Sequence, residues 1–76
     1  MQKAETFKKA GLVFKKIRKQ RKISISSLSE GIISSSSISK FEEGRTQLSF
    51  INLSQLLMRM HVSLDEFYCK VYAGQV

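Results

Sequence analysis

Apolar residues in the first third of the chain recur at three- and four-residue intervals. Phe7, Ala10, Phe14 and Ile17 fall on one stripe, and lysines fill much of the space between them. This spacing predicts an amphipathic helix from about Thr6 to Lys22. Further on, one local pattern recurs at positions spaced like helix starts: an apolar residue, a serine, and a second apolar residue four positions after that serine. Four instances with helix-like spacing are Ile23-Ser24 with Leu28, Ile33-Ser34 with Ile38, Leu48-Ser49 with Leu53, and Val62-Ser63 with Phe67.

The physical meaning of the pattern is a capped helix start. A serine at the N-cap accepts a hydrogen bond from a free backbone N–H, and the flanking apolar pair clamps the approaching chain. Ser24, Ser34, Ser49 and Ser63 are therefore expected as caps, with helices starting near residues 25, 35, 50 and 64. Ser63 is followed three residues later by Glu66, which completes a capping-box sequence. Gly31 and Gly44 are placed to end the second and third helices as C′ glycines. His61 or Val62 ends the fourth, and the fifth runs from Leu64 to about Tyr72. The four consecutive serines, Ser34–Ser37, have a competing reading as linker, since serine is a mediocre helix former. The cap pattern favours the helix.

The expected fold is all-α: a compact five-helix bundle forming a single domain over residues 1–76, with its core over about residues 7–72. A chain of 76 residues supports one modest core. Its candidates are Phe14, Ile17, Leu28, Ile32, Ile38, Phe41, Leu53, Leu56, Leu57, Met60, Val62, Leu64 and Phe67. Tyr68, Val71 and Tyr72 are left as an outward apolar patch on the last helix.

Charge changes the picture more than composition does. The net charge is +7. Residues 1–22 hold nine Lys/Arg against Glu5 alone, or +8, whereas residues 23–76 hold four basic and five acidic residues, or −1. A basic segment this concentrated points to a polyanionic partner, first nucleic acid and second an anionic membrane surface. No apolar run approaches the roughly 18 residues of a membrane span, and the charged N-terminus does not read as a secretory signal. Cys69 is the single cysteine, which fits a reducing cytoplasm.

The predicted third helix, Ser35 to Glu43, carries the functional signal. At about 100° per residue, Ile38 and Phe41 share the inner face, while Ser36, Ser39, Lys40 and Glu43 lie opposite. Two short helices, 25–30 and 35–43, joined by a turn at Gly31–Ile33, make a helix-turn-helix over about residues 24–43. In that arrangement the second helix enters the major groove of double-stranded DNA. Small side chains let the backbone approach, and serine hydroxyls can donate or accept.

The segments "FKKIRKQRKIS", "ISKFEEGR" and "HVSLDEF" resemble the phage-repressor-like (Cro/C1, XRE-type) helix-turn-helix domain, a lambda-repressor-like fold. More narrowly, they resemble the N-terminal domain of the Rgg/GadR/MutR family of bacterial transcriptional regulators. The resemblance covers about residues 10–68. It implies a sequence-specific DNA-binding domain whose base-contacting candidates are Ser35, Ser36, Ser39 and Lys40. Phosphate-contacting candidates are Ser24 and Ile25 at the second helix start, Arg18, Lys22, and Arg45 after the third helix. It further implies a partly buried Arg18–Glu42 pair; on the helical wheel Glu42 also sits nearer the inner face. Glu43 departs from the pattern, because relatives often carry arginine there. Relatives act as homodimers and bear a long C-terminal regulatory domain that in some receives a peptide effector. That domain is absent from these residues, which fits either a fragment or a short stand-alone member.

Enzymatic readings fail on inventory. One His, one Cys and no Gly-rich phosphate loop leave no acid/base pair, and no cofactor or metal site is expected. The membrane-surface reading competes for Phe7, Phe14 and Ile17, which a small core needs. The remaining alternative is a protein-interaction or dimerisation module built on a helix-turn-helix fold.

Overall fold

The computed structural model describes residues 3–73, with side-chain burial described from Lys8 onward. Five helices follow in order: α1 Lys3–Gln20, α2 Ile25–Ser29, α3 Ser35–Glu42, α4 Phe50–Arg59 and α5 Leu64–Ala73. The described residues contain no strand, and none of their helices is long and apolar enough to cross a membrane. α1 packs on α3 and α5, α2 on α3 and α4, and α4 on α5.

Serine oxygens hold the starts of the four later helices. Ser24 Oγ accepts from Ser27 N–H at 3.0 Å, Ser34 Oγ from Ser37 N–H at 3.1 Å, Ser49 Oγ from Asn52 N–H at 3.1 Å and Ser63 Oγ from Glu66 N–H at 3.0 Å. Each bond satisfies one of the amides a helix leaves free in its first turn. The apolar residues flanking these serines lie in the core or pack against it.

Helix ends depart from the sequence expectation in instructive ways. α1 stops at Gln20, before Lys22, because Lys22 takes a left-handed backbone with φ 58°. Its N–H bonds Lys19 O at 3.1 Å, and Ile23 N–H bonds Arg18 O at 3.2 Å, closing a Schellman motif. α4 ends the same way at His61, φ 59°, with His61 N–H on Met58 O and Val62 N–H on Leu57 O. Glycine is the usual residue at such a position, and each side chain there costs about 1 kcal/mol. α3 uses Gly44 for its Schellman turn, at φ 78°. Gly31 works differently. Glu30 (φ −55°, ψ 123°) and Gly31 (φ 79°) form the centre of a type II turn closed by Ile32 N–H on Ser29 O at 2.9 Å. Gly31 thus reverses the chain within the helix-turn-helix rather than capping α2, and α2 ends at Ser29 rather than at residue 30.

Phe14 stands at the centre of the core with no exposed surface. Its ring meets Phe41 of α3 edge-on at 5.3 Å and Phe67 of α5 at 6.4 Å, both favourable aromatic geometries. Ile17, Leu28, Ile38, Leu56, Leu57, Met60 and Val62 complete the interior together with Val71. Ile32 and Leu53 are only partly buried. Two core assignments exchange places. Leu64, expected inside, is exposed at the start of α5, while Val71, expected in the outward patch, is buried. Leu64 sits in the first turn after its cap, where 37% of its surface stays exposed. Val71 lies four residues beyond Phe67 and shares its inward face. The Phe7 side chain lies outside the described ones.

Gly11 sets the separation of α1 and α3. A methyl group there would overlap the Phe41 carbonyl oxygen and lie 3.1 Å from Phe41 C and 3.2 Å from Glu42 C, all backbone atoms. On a free helix, Gly→Ala stabilises by about 1 kcal/mol. Gly11→Ala is expected to do the reverse, lowering stability by about 2 kcal/mol or more through overpacking. Thermal unfolding followed by circular dichroism checks this: a midpoint roughly 10 °C lower is expected, and an unchanged or raised midpoint contradicts the close crossing.

Candidate functional site

The helix-turn-helix is fixed from behind. Arg18 on α1 and Glu42 on α3 are both buried, with only 8% and 5% of their surface exposed. Arg18 Nε donates to Glu42 Oε2 at 2.7 Å and Arg18 Nη2 to Glu42 Oε1 at 3.0 Å. The third nitrogen, Nη1, donates to Ile23 O at 3.0 Å, which also braces the loop leading into α2. A fork-to-fork pair of this kind fixes direction as well as distance. Three of the five N–H donors of Arg18 are thus committed to internal acceptors.

α2 is tied to α4 by a contact that sequence reasoning missed. Arg59 Nη1 donates to the Leu28 carbonyl at 2.9 Å. That carbonyl lies in the last turn of α2, where no helical partner is available. A methyl group on Gly31 would sit in ordinary contact with Arg59 Nη2, 3.7 Å away, so it is the φ of 79° and not crowding that calls for glycine there. Neither Arg59 nor Gly11 belongs to a motif. Gly11, as a helix-interior glycine, carries a warning of close packing in its propensity cost; Arg59 carries none.

On the outer side, the α3 serines divide by what their hydroxyls already do. Ser29 is buried and donates its single proton to Ser26 O at 3.2 Å. Ser29 Oγ is also hydrogen-bonded to Ser35 Oγ at 3.1 Å. Ser35 is exposed and keeps free acceptor capacity beside this bond. Ser34 and Ser37 are bonded to each other at 2.9 Å. Ser36 and Lys40 are exposed and make no hydrogen bond or ion pair among the described residues, while Ser39 is half-buried.

Around this face the remaining candidates are distributed unevenly. Ser24 is exposed and Ile25 partly buried at the start of α2, with Lys22 exposed in the preceding turn. Arg45 follows α3 and is exposed, but its Nη1 donates to Glu43 Oε1 at 3.2 Å. Both partners are more than half exposed, so this pair is worth little on its own and is readily exchanged for another anion. The structure thus brings Ser35, Ser36, Ser39 and Lys40 together on one helix, with Lys22 and Ser24 at the preceding loop and Arg45 beyond the far end.

The sequence profile of the HTH_3 helix-turn-helix family matches residues 14–67, from Phe14 of α1 to Phe67 of α5. No curated protein matches the chain. The match spans more than two thirds of the sequence, and the chain belongs to the HTH_3 helix-turn-helix family. This is a family of XRE-type DNA-binding regulatory domains, which are not typically enzymatic.

The internal brace generates a sharp expectation. Arg18→Met leaves the Glu42 carboxylate buried without its partner, and a loss of about 3–5 kcal/mol is expected. Adding Glu42→Leu removes the stranded charge and should restore most of that loss. Urea denaturation of the wild type and the single and double variants measures the coupling; a single variant as stable as the wild type contradicts a desolvated pair.

Proposed function

We propose that this chain is the sequence-specific DNA-binding domain of a bacterial transcriptional regulator, with α3 as the helix that enters the major groove. The observation that carries the reading is the division of α3 into two faces. Ile38, Phe41 and Glu42 are locked against α1, while Ser36 and Lys40 stand exposed and uncommitted. A helix held this firmly from behind presents its outer row in fixed register, as base recognition requires.

The chemistry of that row fits base edges. Ser36, Ser39 and Lys40 offer small hydroxyls and one cation; lysine reaches guanine O6 and N7, and serine accepts or donates to several bases. The basic excess of residues 1–22 supplies the salt-dependent attraction to phosphates, with Lys22 and the Ser24–Ile25 helix start closest to α3 in the chain. Few long side chains reach the bases, so part of the specificity comes from DNA shape and bridging water. The motifs quoted above support placement within the Rgg/GadR/MutR group. On that reading the chain works in the cytoplasm as a homodimer on repeated or palindromic half-sites. A peptide effector would act through a C-terminal domain of the kind those relatives carry.

A second reading, a protein-docking module on the same fold, is favoured by one feature: Glu43 presents a carboxylate beside the proposed DNA face. Two variants separate the readings. Ser36→Glu should abolish specific DNA binding while leaving thermal melting unchanged, because the site is exposed and the added charge faces phosphate. Affinity equal to wild type would remove α3 from the groove. Glu43→Arg should strengthen binding and steepen the dependence of log K on log salt by about one ion. Selection from a random duplex pool, followed by binding at two salt concentrations, measures both. A flat response to salt with no enriched motif would favour the protein module.

A further inference from the structure

The lysines of α1 do not share one side of the helix. α3 packs against α1 through Gly11, Phe14 and Arg18. At about 100° per residue, Lys9 and Lys16 lie roughly 170° around α1 from that seam. On α3, Ser36 and Lys40 lie opposite Ile38, Phe41 and Glu42, the buried residues turned toward α1. The order in space is therefore the Ser36–Lys40 row, then α3, then α1, then Lys9 and Lys16. Two helices of about 10 Å diameter separate the outer surfaces. That separation, about 20 Å, exceeds twice the Debye length of about 8 Å at physiological salt. The share of the basic excess carried by these lysines is left for another partner.

Beside Lys16 a cleft of 280 Å³ opens between α1 and α5. Val13, Ile17 and Ala73 supply its apolar lining, and a cation stands on each helix, Lys16 on α1 and Lys70 on α5. No Asp or Glu lines the cleft, and neither lysine makes an ion pair among the described residues. Leu12, one turn before Lys16, is 61% exposed.

We infer that this cleft is a docking site for an acidic amphipathic helix of a partner protein. Charge complementarity selects the occupant: two like charges flank apolar surface, and carboxylates relieve their repulsion. A row of apolar side chains at three- and four-residue spacing fits a groove between two helices, with flanking glutamates meeting Lys16 and Lys70. The cleft lies just below the range of small-molecule pockets, about 300–1,000 Å³, so it seats an anchoring side chain rather than a whole ligand. A bilayer is flat and would meet the lysine tips without filling the cleft. Exposed ion pairs around a small apolar seat give modest affinity, with Kd on the order of 10–100 μM. The separation from DNA rests on α3 as the groove-entering helix, whereas the cleft stands without it.

The probe is a synthetic helix of about 18 residues, or roughly five turns, with leucines at three- and four-residue spacing flanked by glutamates. Its control has the same composition with the leucines scattered. Fluorescence anisotropy in about 0.1 M salt measures affinity, and amide NMR spectra locate the contact. Shifts are expected at Val13, Lys16, Gln20 and Lys70, with binding about fivefold or more weaker for the control peptide. Lys16→Gln with Lys70→Gln should weaken binding about tenfold. Lys15→Gln with Lys19→Gln, which removes the same net charge outside the cleft, should change it less than about twofold. Thermal melts equal to wild type show that both double variants fold. The chain should bind the peptide and a selected duplex at once.

Displacement of the peptide by duplex overturns the inference, because it puts both on one surface. Equal binding of the control peptide, or equal weakening by the two double variants, overturns it by reducing the contact to net charge. Absence of peptide binding up to about 1 mM overturns it as well, as does binding to anionic vesicles in place of the peptide. Peptide binding by a chain that binds no duplex leaves the cleft standing and removes the proposed function alone.

Discussion

The crossing of α1 over α3 is the constraint on which the rest of the molecule depends. Gly11, Phe14 and Arg18 lie along one side of α1, and each meets the same short stretch of α3. Gly11 admits the Phe41 carbonyl, Phe14 meets the Phe41 ring, and Arg18 holds the Glu42 carboxylate. Beyond them, Gly44 comes so near α1 that a side chain there would sit 2.6 Å from Lys8 Cγ and 3.1 Å from Lys8 Cα. The contacts differ in kind: backbone proximity, aromatic packing and a directional ion pair. Together they leave α3 little freedom to slide or roll.

That rigidity matters because α3 has only eight residues and would not hold a helical conformation alone. Its start depends on the Ser34 cap, its end on the Gly44 turn, and its orientation on α1. α2, with five residues, is weaker still and relies on Ser24 at one end and the Arg59 contact at the other. The helix-turn-helix is therefore a product of its supports. A small domain of this size has a net stability of roughly 4–11 kcal/mol, so a buried ion pair and a glycine crossing are large fractions of the total. The buried pair contributes geometry more than net stability, since the cost of desolvating both charges offsets much of their attraction.

The division of labour among the serines follows from the same supports. Ser24, Ser34, Ser49 and Ser63 act on backbone amides. Ser29 is hydrogen-bonded both to Ser26 O and to Ser35 Oγ. Only after these internal demands are met do Ser36 and Lys40 stand out as unspent. In composition the serine run looks uniform; in the structure neighbouring serines have different hydrogen-bonding capacity. The Glu43–Arg45 pair sits at the edge of the same face, with both partners more than half exposed.

Sequence alone determined the architecture of this protein, because its information is local. Serine caps flanked by apolar residues at helix-like spacing mark four of the helix starts, so the five helices and their order were legible, as were most of the core positions from Phe14 to Phe67. The concentrated positive charge was equally legible, being a count rather than a contact. Helix ends were less so: Lys22 and His61 adopt a left-handed backbone that their residue types do not favour, because tertiary packing of the following residues outweighs a cost of about 1 kcal/mol. The exchange of Leu64 and Val71 between surface and core has the same origin, since periodicity gives a face but not where along the helix the neighbour begins. What only the tertiary structure decided is which polar groups are already committed. The three internal hydrogen bonds of Arg18, the bond between Ser35 and Ser29, Arg59 across to Leu28, and Gly11 as the seat of α3 all depend on distances between separate segments, and no spacing within one helix can encode them.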